Sequence, residues 1–176
     1  MKYTDSPAFC AVYPLILQVE GKYADLEGDS GGPTMYGISW NYNAGALSAL
    51  GYTRDTMRTL KLADALQIYF DRYWVASGAN VITDAGLGYI HLDAAINCGP
   101  GQAKKFLSRL SVNPAHFDGR GNRNSELFLG LVLEYEMQRM KFYTQDVSED
   151  QRRRFLKGWK RRMQYVSEHA EKLVAK

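Results

Sequence analysis

The sequence predicts a mainly α protein, and three observations carry that expectation. Apolar residues recur at three- and four-residue spacing over several stretches, strand-like alternation is almost absent, and helix start and stop signals flank the periodic segments. The 176 residues suit one compact domain, or a catalytic body with a small helical appendage. With 45% of residues hydrophobic, the chain can bury a sizeable core.

In chain order, Ser6-Pro7 is a helix start, a capping hydroxyl followed by proline at the first helical position. Phe9, Val12, Tyr13, Ile16, Leu17 and Val19 give this helix an apolar face, with a kink or restart expected at Pro14. Glycines at 21, 28, 31, 32 and 37 then make Val19 to Ser39 an irregular loop or small hairpin. Gly45 to Tyr52 has no clear form. Leu62, Leu66, Tyr69, Phe70 and Tyr73 mark an amphipathic helix over Thr59–Trp74.

Thr83-Asp84 caps the next helix, whose face is Leu87, Ile90, Ala94 and Cys98 and which Gly99-Pro100-Gly101 stops. A helix over Ala103–Leu110 follows, then a polar loop from Asn113 to Asn124 and a helix from Ser125 to about Tyr143. Ser148-Glu149-Asp150-Gln151 is a capping box that opens the last helix, with Phe155, Trp159, Met163, Val166, Ala170 and Leu173 as its buried stripe. No internal repeat or low-complexity linker is present.

Charge is nearly balanced, 22 Lys+Arg against 19 Asp+Glu, but it is segregated. Residues 20–29 are acidic, while 152–162 carries seven Arg and Lys residues, which suit a polyanionic envelope polymer or, as the competing reading, nucleic acid. Cys10 and Cys98 have no metal-ligand spacing and are expected as buried thiols of a protein made in a reducing cytoplasm. His91, His116 and His169 form no such spacing either. The apolar stretch 7–18 is short and holds Pro14, so it is expected as a core helix rather than a signal peptide or anchor.

The chemistry concentrates in Val19–Ser39. Glycosidic cleavage requires a carboxylic acid to protonate the leaving oxygen and a group opposite to position water or stabilise the cation-like centre. Glu20 follows Leu15, Ile16, Leu17 and Val19, and an apolar wall favours the protonated form of a carboxyl group. Asp29 and Thr34, on the glycine-bent loop, can hold water on the other face. Asp25 and Glu27 are expected as surface charge, and the acidic order does not fit an EF-hand. Asp93 and Asn97, four apart, either cap their own helix or face a cleft. Trp40, Tyr42 and Tyr52 either stack on sugars or pack.

Glu20-Gly21-x-Tyr23 with Asp29-x-Gly31-Gly32-x-Thr34-x-x-Gly37-Ile38-Ser39 resembles the signature of glycoside hydrolase family 108, N-acetylmuramidases of phage endolysin type. The Glu20, Asp29 and Thr34 spacing is also similar to the Glu-Asp-Thr arrangement of phage-type lysozymes. Leu92-Asp93-Ala94-Ala95-Ile96-Asn97-Cys98-Gly99 resembles the family's Asp/Asn helix, and Gly158-Trp159 with Arg161-Arg162 its C-terminal Gly-Trp-x-x-Arg segment, often described as peptidoglycan-binding. Lys22 and Ser30 stand where the family usually has Gly and Pro, and 118–125 departs from its Asp-Gly-x-x-Gly-Pro-x-Thr segment.

The resemblance implies a lysozyme-like helical fold, with a catalytic region over 1–111 and a C-terminal helical region over 112–176 that resembles a peptidoglycan-binding segment and is expected to pack on the first as one unit. It implies cleavage of the β-1,4 bond between N-acetylmuramic acid and N-acetylglucosamine. Glu20 would be the catalytic acid, Asp29 and Thr34 would organise water or sugar, and Tyr36, Asp93 and Asn97 would line the cleft. No metal or other cofactor is needed. The expected partner is bacterial peptidoglycan, with no nucleic acid, no stable membrane insertion and a monomeric chain. Without a signal peptide, the protein would be made in the host cytoplasm and reach the wall through a holin or another delivery system. The alternatives are a non-catalytic glycan-binding protein and a basic helical nucleic-acid-binding protein.

Overall fold

The computed structural model describes residues 1–25, 31–111, 113 and 125–174. The architecture is mainly α, as the spacing predicts, with one short hairpin among the described residues. It divides into two compact units, Met1–Arg72 and Tyr73–Lys176. The expected boundary at 111/112 falls inside the second unit, whose helices pack on a segment that precedes that boundary.

The first unit opens with a 3-10 turn and helix α1, Pro7–Val19. The Ser6 hydroxyl accepts from the Phe9 amide at 3.3 Å, and Pro7 occupies the first helical position, where no amide donor is needed. The helix continues through Pro14, so of the two expectations the restart does not occur. Phe9, Val12 and Ile16 are buried, and Phe9 meets Phe70 edge-on at 5.3 Å.

Strands β1, Thr34–Met35, and β2, Ile38–Ser39, pair antiparallel, Thr34 opposite Ser39 and Met35 opposite Ile38. Ala24 bridges to Thr34 on the other side through two backbone bonds of 2.9 and 2.8 Å. Helix α2, Trp40–Ala49, occupies most of the stretch left without a form. Its start is satisfied by backbone: the Trp40 and Asn41 amides donate to the Pro33 and Gly31 carbonyls. Gly32 makes that approach possible, since a Cβ there would sit 3.1 Å from the Asn41 side chain and its φ is +63°. Helix α3, Leu62–Tyr69, passes into a π-helical turn, Phe70–Val75, so the expected single helix changes pitch near its end.

In the second unit, helix α4, Ala85–Cys98, is the central element. Every residue from Gly86 to Ala95 is buried, which small residues on several faces permit. Asp84 caps it, its carboxylate accepting from the Leu87 amide at 2.7 Å. Gly99, φ +84°, ends it, and Pro100 starts α5, Pro100–Ser108, three residues before the expected position. Helix α6 spans Ser125–Lys141 and a π-helical turn covers Phe142–Asp146. Helix α7, Glu149–Val174, begins at the expected capping box, with Ser148 and Gln151 exchanging bonds to each other's amides. It packs along α4. Met163, Val166 and Ala170 are buried as expected, but Phe155 is 50% exposed, because it lies about two turns before Met163, where the buried stretch of α7 begins.

Candidate active site

The site in the first unit is built where α1 runs out. Glu20 is the residue after α1 and has extended backbone, φ −92° and ψ 141°, while its amide still bonds to the Ile16 carbonyl. Its carboxylate, half-buried, lies against the hairpin turn Tyr36-Gly37. Both turn residues have positive φ, +53° for Tyr36 and +77° for Gly37, the pattern of a two-residue type I′ turn. Gly37 has no room for a side chain: a Cβ would overlap the Glu20 carboxylate and the Tyr69 hydroxyl. The motif glycine is therefore fixed both by backbone angle and by the acid beside it.

Thr34 begins the hairpin, and its hydroxyl donates to the Gly32 carbonyl at 3.1 Å. That leaves the oxygen's lone pairs to accept from a water or a sugar hydroxyl. Tyr36 contributes its carbonyl to the turn, where the Tyr69 hydroxyl donates to it at 2.9 Å. Asp29 lies outside the described residues, as does Glu27. Tyr23 of the motif carries the Arg58 guanidinium 4.6 Å above its ring, a cation–π contact. Of the aromatics considered for stacking, Tyr52 has its hydroxyl held by Asp64 at 2.6 Å, whereas Tyr42 stands exposed on α2. Burial and the Asp64 carboxylate raise the Tyr52 pKa, so this phenol stays neutral.

The other candidate residues belong to the second unit and form a different kind of site. Asp93 is fully buried on α4, and its two oxygens accept from Arg139 at 2.9 Å and Arg162 at 2.7 Å. Asn97 donates to the Asp93 carbonyl at 2.8 Å and to its carboxylate at 3.3 Å. Of the two alternatives left open for this pair, the contacts are those of residues that bind their own neighbourhood. Arg139 also donates to the Tyr143 hydroxyl at 3.1 Å, and Cys98 lies 3.2 Å from the same oxygen. Trp159 stacks on the Tyr143 ring at 4.5 Å. Both ends of the Gly-Trp-x-x-Arg segment are thus held inside this unit.

The electrostatics follow from burial. Burial alone opposes the charge of Arg139, but Asp93 and the other neighbours outweigh it and its pKa is raised. Burial pushes the Cys98 thiol and the Tyr143 and Tyr135 phenols up, so all three stay protonated. Cys98 and Cys10 are free and half-buried rather than fully enclosed as expected. Burial pulls His91 down from 6.5 to about 4. Neutral His91 gives its Nε2 proton to the Ser77 carbonyl at 3.1 Å and accepts from the Tyr135 hydroxyl at Nδ1, 2.7 Å. No group of three or more His, Cys, Asp or Glu residues arranged for a metal occurs among the described residues.

Tyr69 and Arg58 were not singled out by the sequence. Tyr69 carries a faint signal, a polar tip on an otherwise apolar helix stripe, which demands a partner when buried.

A mainly α, lysozyme-like fold that sets an acid residue against a glycine turn is the class defined here. Residues 13–99 match the family Glycosyl hydrolase 108, a stretch that contains Glu20, the hairpin, Tyr69, Asp93 and Asn97. The match supports a glycoside hydrolase. Among solved structures, SagA of Brucella abortus is similar in fold, with a TM-score of 0.70 at 24% identity over 96% of this chain and 96% of that chain. No curated protein matches the chain.

Proposed function

We propose that this protein is an N-acetylmuramidase of endolysin type, which hydrolyses the β-1,4 bond between N-acetylmuramic acid and N-acetylglucosamine in bacterial peptidoglycan. The observation that carries the reading is the placement of Glu20, an acid at the end of an apolar helix, pressed against a hairpin turn within the family match. Glu20 protonates the glycosidic oxygen, and Asp29 and Thr34 organise the attacking water or the sugar, with Tyr36 at the rim. The protein acts as a monomer and without a metal. Among the described residues no helix is long and apolar enough to cross a membrane. Release from the cytoplasm through a holin or another delivery system completes the proposal.

The test is digestion of purified peptidoglycan, with the products reduced and identified by mass spectrometry. Fragments ending in reduced muramic acid support the reading. Fragments ending in anhydro-muramic acid replace it with a lytic transglycosylase, and fragments ending in reduced glucosamine replace it with a glucosaminidase. Binding to the wall without fragments leaves only a glycan-binding protein.

A further inference from the structure

Three segments distant in sequence meet at Gly37. Glu20 arrives from the end of α1, Tyr69 from the end of α3, and the turn itself joins β1 to β2. Tyr69 is buried, and its hydroxyl donates to the carbonyl of Tyr36, the residue that carries the strain of the turn. A φ of +53° is uncommon for a residue without a short polar side chain, and such a conformation persists only where its surroundings hold it. The Tyr69 hydrogen bond supplies that hold. On the same side of the turn, a Cβ at Gly37 would overlap the Tyr69 hydroxyl and lie 2.8 Å from the Glu20 carboxyl carbon, so hydroxyl and acid rest side by side on the turn.

We propose that Tyr69 is the positioning residue for Glu20: its hydroxyl keeps the Tyr36-Gly37 turn closed, and the closed turn fixes where the carboxyl group stands. The catalytic consequence rests on the glycosidase reading; the contact chain does not. A general acid that wanders from the leaving oxygen loses rate rather than affinity, because sugar binding is spread over many other groups. Asn-Gly in place of Tyr36-Gly37 would adopt the same turn without outside help, since Asn tolerates positive φ.

The experiment uses Tyr69→Phe, which keeps the buried ring and removes only the hydroxyl, and then adds Tyr36→Asn. Tyr69→Phe is expected to lower kcat on soluble peptidoglycan fragments about tenfold, the scale of one lost hydrogen bond, with KM within about twofold. Tyr36→Asn in that background restores most of kcat, while any lost aromatic contact with the sugar shows in KM. A Tyr69 that merely stabilises the fold would lower the melting temperature and leave kcat of the folded enzyme alone. In protein labelled with carboxyl-13C glutamate, the Glu20 resonance moves in Tyr69→Phe and returns in the double variant, whether or not the enzyme cuts the wall. An unmoved Glu20 resonance overturns the proposal, as does one that Tyr36→Asn does not return or an unchanged kcat in an active enzyme. Absence of cleavage by wild type, with a resonance that moves in Tyr69→Phe and returns in the double variant, defeats the glycosidase reading and leaves the positioning intact.

Discussion

Glu20 and Asp93 are two carboxylates in the same chain that the fold treats in opposite ways. Asp93 is sealed into the second unit, each oxygen answered by an arginine, and Asn97 closes on it from the next turn of α4. Glu20 is left half-buried at a helix end, against backbone that has no side chain to shield it. The first arrangement keeps a charge where water cannot reach it, and so ties α4 to α6 and α7. The second keeps an acid accessible while fixing its place. An acid that must exchange a proton with a substrate needs the second arrangement.

Substitutions of either carboxylate's surroundings separate the two roles. Asp93→Asn leaves two guanidinium groups without their counter-charge, and removing one partner of a buried pair costs about 3–5 kcal/mol. Urea unfolding should show a loss of that size; a shift below about 1 kcal/mol would mean that the pair is not a stabilising key.

His91 gives the second unit an acid sensitivity. Its folded pKa, about 4, lies below the ordinary 6.5, so between those values the unfolded chain binds a proton that the folded chain refuses. Stability is complete above pH 6.5 and falls as the pH drops towards 4, by about 3 kcal/mol in all. Unfolding measured across that range should lose this slope in His91→Gln, and an identical slope in both proteins would exclude His91 as its source.

Gly37→Ala strains the turn and pushes a methyl group into Glu20 and Tyr69, so it should cost about 1–3 kcal/mol and lower activity as well. Wild-type activity in this variant would show that the wall against Glu20 is dispensable. The smallest effect is expected at Phe155, where half the ring is already exposed. Phe155→Ser should change unfolding by no more than about 0.5 kcal/mol, whereas Trp159→Ala, four residues on and stacked on Tyr143, should cost about 2 kcal/mol. Equal costs would mean that Phe155 is held in the core.

What was legible in the sequence was local. Ser6 with Pro7, Asp84 and the Ser148/Gln151 box act within one helical turn, and each cap stands where the residue types put it. Helix α2 was not legible, because its first amides are satisfied by the carbonyls of Gly31 and Pro33, backbone groups that carry no residue signature. The burial of Asp93 was not legible for a different reason: its partners lie 46 and 69 residues away, and a lone Asp at helical spacing says nothing of distant arginines. At the candidate site, Glu20 and the glycines announced themselves by type and spacing. Tyr69 did not, since 33 residues separate it from the carbonyl it holds.

The most direct test of the account is the rate at which Glu20→Gln hydrolyses purified peptidoglycan, measured with its unfolding midpoint. Gln keeps the shape and cannot donate the proton, so the rate should fall by at least about a hundredfold while the midpoint stays near wild type. A Glu20→Gln protein that folds as wild type and still hydrolyses the wall within a few-fold of its rate would contradict the assignment of Glu20 as the catalytic acid.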